Sequence, residues 1–112
     1  MFETQIRSLI EYLEQVKRSP RLFFQPVNDN GLHSHIHGIH VDLNFFGLEL
    51  DGEIYEEIEA RHGWQGNTSF GAVPHMRKAG LTEERIVDEY LSMYLETWKE
   101  MLIRLEDAKK QV

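Results

Sequence analysis

The chain has 112 residues, of which 41% are hydrophobic, and its 19 Asp and Glu residues outnumber its 12 Lys and Arg residues. This size and composition predict one globular domain over residues 1–112 with a single core. The lack of cysteine excludes disulfides and thiolate sites, and the net charge of −7 argues against nucleic acid as a partner. Because it has neither a signal-peptide pattern nor an apolar run of about 20 residues, we expect a cytoplasmic protein that does not enter a membrane.

The first predicted element is a helix over about residues 2–17, in which apolar residues recur at steps of four and three. These residues are Phe2, Ile6, Leu9, Leu13 and Val16. Ser19-Pro20 should end the helix, because a residue before proline avoids the helical conformation. Residues 21–26 then form a short extended connector, or a brief strand, whose two phenylalanines are expected to plug the bundle.

The next segment, residues 31–46, fits two periodicities. Helical spacing aligns one apolar stripe over 15 residues, made of Leu32, Ile36, Ile39, Leu43 and Phe46. A strand would alternate over only about seven residues, from 39 to 45. The longer pattern predicts a helix that begins near residues 28–30 and ends at Gly47, a typical C-terminal cap residue. A second apolar strip of Gly38, Val41 and Phe45 predicts a central position for this helix, with close helix approach at Gly38.

Two further helices follow. Asp51 is the predicted N-cap of a third helix, which ends near Gly63. Residues 63–73 should form the longest loop, held by its aromatic side chains. Pro74 suits the first turn of a short helix that Gly80 closes.

The last helix is predicted to run from the N-cap Thr82 to about Lys109. Its apolar stripe consists of Val87, Leu91, Tyr94, Trp98, Met101 and Leu105. Such a helix would be about 40 Å long, whereas a compact domain of this size is about 34 Å across. Its last turns should therefore overhang, fray or form the seam of a homodimer. Together these elements predict an all-α fold, a compact four- to five-helix bundle with a long C-terminal helix.

Three histidines, His33, His37 and His40, share one face of the predicted second helix. Imidazoles one turn apart can bind a single zinc or nickel ion, provided that another element supplies further ligands. The interpretation that we favour is the solvated polar flank of an amphipathic helix. In either case, protonation would place like charges on one face, which predicts sensitivity to acid.

The third helix carries four glutamates, Glu53, Glu56, Glu57 and Glu59. A solvated helix face explains them most simply, and docking of a basic partner is the functional alternative. Trp64 in the following loop is either a core anchor or an exposed contact for the same partner. No catalytic motif is recognisable, so no catalytic residue is assigned and a non-enzymatic protein is expected.

Two segments resemble a group of small bacterial helical proteins. Residues 19–24, Ser-Pro-Arg-Leu-Phe-Phe, stand where that group has an Arg-Pro-x-Met-Tyr-Phe-like connector after its first helix. Residues 32–38, Leu-His-Ser-His-Ile-His-Gly, are similar to its Leu-x-x-Phe-Ile-x-Gly-like helix. Some members of the group look like immunity proteins of bacterial toxin systems. The resemblance implies an all-helical protein that neutralises a toxin.

The leading hypothesis for function is a small, acidic, non-enzymatic module that binds a basic protein, such as a toxin. A metal-binding bundle that uses His33, His37 and His40 is the first alternative. A self-associating structural protein, joined through its C-terminal helix, is the second.

Overall fold

The computed structural model describes residues 2–64 and 72–110, which form five α-helices and one short 3-10 turn and contain no strand. The helices are α1 Glu3–Arg18, α2 Asp29–Phe45, α3 Gly52–Arg61, α4 Val73–Lys78 and α5 Glu83–Lys110. The predicted all-α bundle with a long C-terminal helix is confirmed, including the helix over residues 31–46. No described helix is long and apolar enough to cross a membrane. Residues 65–71 of the predicted loop lie outside the described part of the chain.

Local sequence determines where the helices begin and end, as predicted. Side-chain oxygens of Asn28, Asp51 and Thr82 accept hydrogen bonds from N–H groups in the first turns of α2, α3 and α5. Three helices end in a glycine with φ between 79° and 88°, followed by a hydrophobic residue. In each case the glycine N–H and the next N–H bond back to carbonyls of the last turn, which is the Schellman motif. These pairs are Gly47-Leu48, Gly63-Trp64 and Gly80-Leu81.

Helix α5 occupies the centre of the molecule, with a hydrophobic cluster on each of two sides. One cluster contains Val87, Leu91 and Trp98 of α5 together with buried side chains of α1 and α2. The other joins Ile86 and Met93 of α5 to buried side chains of α3 and α4. A helix that packs on two sides needs apolar residues around much of its circumference, which agrees with the broad stripe in its sequence.

Helix α2 is not central, contrary to the prediction. It buries a single stripe that includes Leu32 and Ile36, whereas Val41 and Phe45 of its second strip are 54% and 86% exposed. The predicted close helix approach at Gly38 was wrong, because a Cβ built there would meet nothing within 4 Å. Periodicity shows that a strip is apolar but does not show whether another element covers it. Here the middle position belongs to α5.

Helix α1 runs antiparallel to α5 along most of that helix. Near one end Lys17 lies 3.4 Å from Asp88, and at the other end Lys109 lies 2.9 Å from Glu3. The last turns of α5 therefore lie against the first turn of α1 instead of overhanging. The molecule measures 47 × 30 × 23 Å, longer than expected. The 28 residues of α5 account for this length, since at about 1.5 Å each they span about 42 Å.

The connector between α1 and α2 was expected to be extended, but the structure shows that it is not. Pro20–Leu22 forms a 3-10 turn, in which the N–H groups of Phe23 and Phe24 donate to the carbonyl of Pro20. Phe24 is buried in the core, as predicted, and Phe23 packs against it. The connector then crosses α2 so closely that a Cβ on Gly31 would collide with the carbonyl oxygen of Pro26.

Candidate protein-binding surface

The charge of the molecule is unevenly distributed along the chain. Residues 22–60, which contain α2 and all of α3 except its last residue, Arg61, hold eight Asp and Glu residues and no Lys or Arg. The remaining residues hold 12 Lys and Arg against 11 Asp and Glu, so they are close to neutral. The net charge of −7 therefore arises from one segment, which concentrates negative potential on α2 and α3.

The four glutamates singled out from the sequence all lie on α3. Glu53, Glu56 and Glu57 are exposed, and Glu59 is half-buried. Glu57 accepts a hydrogen bond from Arg104 of α5 at 2.9 Å. Neither Glu53 nor Glu56 forms an ion pair with a residue in the described ranges. Their negative charge is therefore presented to solvent.

Glu59 reports on the potential at this surface. Burial raises the pKa of Glu59, the negative charge of Glu56 raises it further, and His75 of α4 partly offsets both effects. A like charge that is felt one turn away shows that the carboxylates repel one another. A cation brought to this face would relieve that repulsion.

Two adjacent aromatic side chains project from the end of α2. Phe45 is 86% exposed and Phe46 is 74% exposed, and their ring centroids lie 5.7 Å apart in an edge-to-face arrangement. The Schellman motif at Gly47 explains their position, because it turns the chain so that Leu48 enters the core instead. Two neighbouring phenylalanines that the fold leaves in solvent form an exposed apolar patch.

A groove of about 360 Å³ begins beside Gly47 and links the end of α2 to the start of α3. Its floor is apolar and is formed by Phe2, Ile6, Leu48, Ile54, Met101 and Leu105. Glu49 and Asp51 contribute carboxylates to its lining. Arg104 also lines the groove, but its charge is compensated by Glu57 at 2.9 Å and Glu100 at 3.2 Å. The groove is therefore apolar within and acidic at its edge.

The three histidines of α2 do not converge. His33 and His37 are exposed and His40 is half-buried. The ring centroid of His33 lies 5.4 Å from that of Tyr90, and the centroid of His40 lies 5.6 Å from that of Tyr94. No group of three His, Asp or Glu side chains that could hold a metal ion occurs in residues 2–64 and 72–110. The structure thus does not bring His33, His37 and His40 together as a zinc or nickel centre.

Packing of the α2 histidines changes their affinity for protons. Burial lowers the pKa of His40, and the nearby His37 lowers it further. On the other side of α2, His35 shares a hydrogen bond of 2.9 Å with the hydroxyl of Tyr12, and burial lowers the pKa of His35. Both imidazoles are therefore held neutral in the folded protein at neutral pH.

Sequence reasoning missed the arrangement around His62. Nδ1 of His62 lies 2.5 Å from Glu89 and Nε2 lies 2.9 Å from Glu96, both on α5. Burial lowers the pKa of His62, but the hydrogen bonds and charges of the two glutamates outweigh this effect and raise it overall. A sequence signal existed, since Glu89 and Glu96 are seven residues apart and so share a face of α5.

Trp64 contacts Glu89, the same glutamate that binds His62. Its indole N–H donates to Glu89 at 3.2 Å, and its ring packs against the cluster formed by α3, α4 and α5. These contacts are those of a core anchor. The side chain remains partly exposed.

No protein family, curated protein or solved structure matches this chain. The basis for a proposed function is therefore the surface itself. It combines the exposed carboxylates of Glu53 and Glu56, the exposed pair Phe45 and Phe46, and the apolar groove that begins at Gly47.

Proposed function

We propose that the protein is a non-enzymatic module of the cytoplasm that binds a basic protein through the acidic surface of α2 and α3. The observation that carries this proposal is the lack of Lys and Arg in residues 22–60, together with the exposed carboxylates of Glu49, Glu53 and Glu56, which form no ion pair with the residues that the structure describes. A surface that serves only solubility intersperses both signs of charge. Uncompensated negative potential instead speeds the approach of a positively charged protein and disfavours acidic ones.

The biological role that we propose is neutralisation of a basic toxin domain. A toxin that acts on nucleic acid needs a basic cleft, because binding of phosphates requires Lys and Arg. An acidic protein that covers such a cleft would block access of the substrate. The resemblance of residues 19–24 and 32–38 to small helical proteins of the immunity type supports the same role.

Co-expression tests this role directly. Each protein encoded beside this chain would be expressed with and without it, and growth would be measured. We expect the chain to relieve the toxicity of one basic neighbour and to bind it after purification. If no neighbour is both toxic and relieved, the immunity-type role is rejected.

A matched pair of charge variants tests the surface. Glu53→Gln with Glu56→Gln removes two exposed carboxylates from α3, whereas Glu11→Gln with Glu14→Gln removes two exposed carboxylates from α1. Both variants have the same net charge. We expect the association rate with the basic partner to fall about fivefold for the α3 variant and less than about twofold for the α1 variant. Equal rates for the two variants would contradict a localised binding surface.

A further inference from the structure

We infer that Phe45, Phe46 and the adjoining groove form one docking surface for a segment of the basic partner that carries an apolar side chain flanked by Lys or Arg. This inference rests on the proposed function and specifies how the partner is held. The acidic face of α3 attracts the partner, and the aromatic pair with the groove binds it.

The exposed phenylalanines are not required by the fold. Phe45, the last residue of α2, and Phe46, its C-cap, contact each other but lie outside both buried clusters. Singly exposed apolar side chains are common, but here two aromatic rings are adjacent, and the lining of an apolar groove begins at the next residue, Gly47. Aromatic side chains, Phe among them, are enriched at protein interfaces.

The groove offers the complementary half of the surface. It begins at Gly47, directly after Phe46, and its apolar floor includes Leu48, Met101 and Leu105. An apolar side chain of the partner that enters the groove would bury part of its surface against this floor. Because Phe46 directly precedes Gly47, neighbouring parts of the same segment could contact the two phenylalanine rings.

Charge determines which occupant fits. Glu49 and Asp51 line the groove, and Asp42 is exposed on the last turns of α2. Arg104 also lines the groove, but it is already paired with Glu57 and Glu100. A second copy of this chain would bring the same carboxylates face to face, which is unfavourable when like charges lose water. A segment with Lys or Arg beside its apolar side chain would instead be attracted.

Synthetic peptides of about 15 residues can serve as the probe. The first contains Lys and Leu at helical spacing, the second has each Leu replaced by Ser, and the third has each Lys replaced by Glu. The proteins are the wild type, Phe45→Ser with Phe46→Ser, and Leu22→Ser. Leu22 is the matched control, because it is 81% exposed and lies in the connector outside the proposed surface. Dissociation constants are measured by calorimetry, and backbone amide NMR shifts map each site.

We expect the wild type to bind the Lys-Leu peptide at least about tenfold more tightly than the Lys-Ser peptide, with shifts at residues 45–48. The double phenylalanine variant should lose this tenfold preference, whereas Leu22→Ser should keep it. Glu53→Gln with Glu56→Gln should weaken binding of both basic peptides by the same factor.

The outcomes separate this inference from the proposed function. If the charge variant weakens both basic peptides but the phenylalanine variant keeps the tenfold preference, the docking surface is refuted and the acidic binding surface stands. If the basic peptides bind no better than the acidic one, both proposals fail. If the wild type sediments as a dimer and the phenylalanine variant as a monomer, a second copy covers the patch and the inference is overturned.

Discussion

Nδ1 of His62, just beyond the end of α3, lies 2.5 Å from Oε1 of Glu89 on α5. Its other ring nitrogen is 2.9 Å from Glu96, so the imidazole bridges two carboxylates that lie on one face of the central helix, about two turns apart. Both ring nitrogens can donate only in the protonated ring. The hydrogen bonds therefore stabilise imidazolium and raise the pKa of His62 in spite of its burial. This bridge fastens the end of α3 to α5.

The bridge predicts a loss of stability at alkaline pH. Because the folded pKa of His62 lies above the ordinary value of 6.5, its contribution is complete below that value and is lost as pH rises through the folded pKa. We expect His62→Gln to lower the free energy of unfolding by about 1–2 kcal/mol at pH 6 and by much less at pH 9. Urea unfolding of both proteins at the two pH values measures this difference. A cost that is equal at pH 6 and pH 9 would contradict a charged bridge.

The burial of His40 leads us to expect a loss of stability at acidic pH, in contrast to the loss at alkaline pH expected from His62. Its Nε2 is buried and has no hydrogen-bond partner in the described residues, and burial lowers the pKa of His40. The unfolded chain then binds a proton more readily than the folded one, so stability falls as pH falls below about 6.5. We expect His40→Phe to be more stable than wild type by about 1 kcal/mol at pH 7.5. The advantage should grow toward pH 5 in thermal unfolding, and a constant advantage would show that His40 does not cause acid sensitivity.

Two glycines of α2 predict opposite effects of the same substitution. A Cβ on Gly31 would collide with the backbone of Pro26 and touch the ring of Phe24, whereas a Cβ on Gly38 would meet nothing within 4 Å. We expect Gly31→Ala to lower the free energy of unfolding by about 2 kcal/mol, because backbone cannot yield cheaply. Gly38→Ala should raise it by about 0.5–1 kcal/mol through helix propensity. Chemical denaturation of the two variants provides the comparison, and stabilisation by Gly31→Ala would refute the crossing of the connector.

The turn after α2 buries one hydrophobic side chain and leaves another in solvent, so we expect the two to differ in their contribution to stability. Leu48 is buried, whereas Phe45 is exposed. We expect Leu48→Ala to lower the free energy of unfolding by about 2–4 kcal/mol, since it leaves a cavity in the core. Phe45→Ala should change it by less than about 0.5 kcal/mol. Denaturant midpoints test this contrast, and a large cost for Phe45→Ala would mean that the aromatic pair packs against the fold itself.

Much of the candidate surface could be predicted from the sequence, but its most specific parts could not. The glutamates of α3 were identified, because a helix of known length places them by periodicity alone. The metal hypothesis for His33, His37 and His40 rested on the same periodicity, yet it gains no support from the structure. Two of these rings instead lie against Tyr90 and Tyr94 of α5. Local spacing does not determine which side chain, more than 50 residues away in the chain, will contact a given histidine.

The sequence by itself determined the class of fold and the ends of the helices. Caps such as Asn28 and Asp51, and glycines such as Gly47, act through bonds within a few residues, so local sequence is sufficient. Only the tertiary structure decided that α5 rather than α2 is central and that Phe45 faces solvent while Leu48 is buried. It also decided the bridge from His62 to α5. These outcomes depend on how helices distant in sequence compete to cover one another's apolar faces, and that competition is settled only when the whole chain packs.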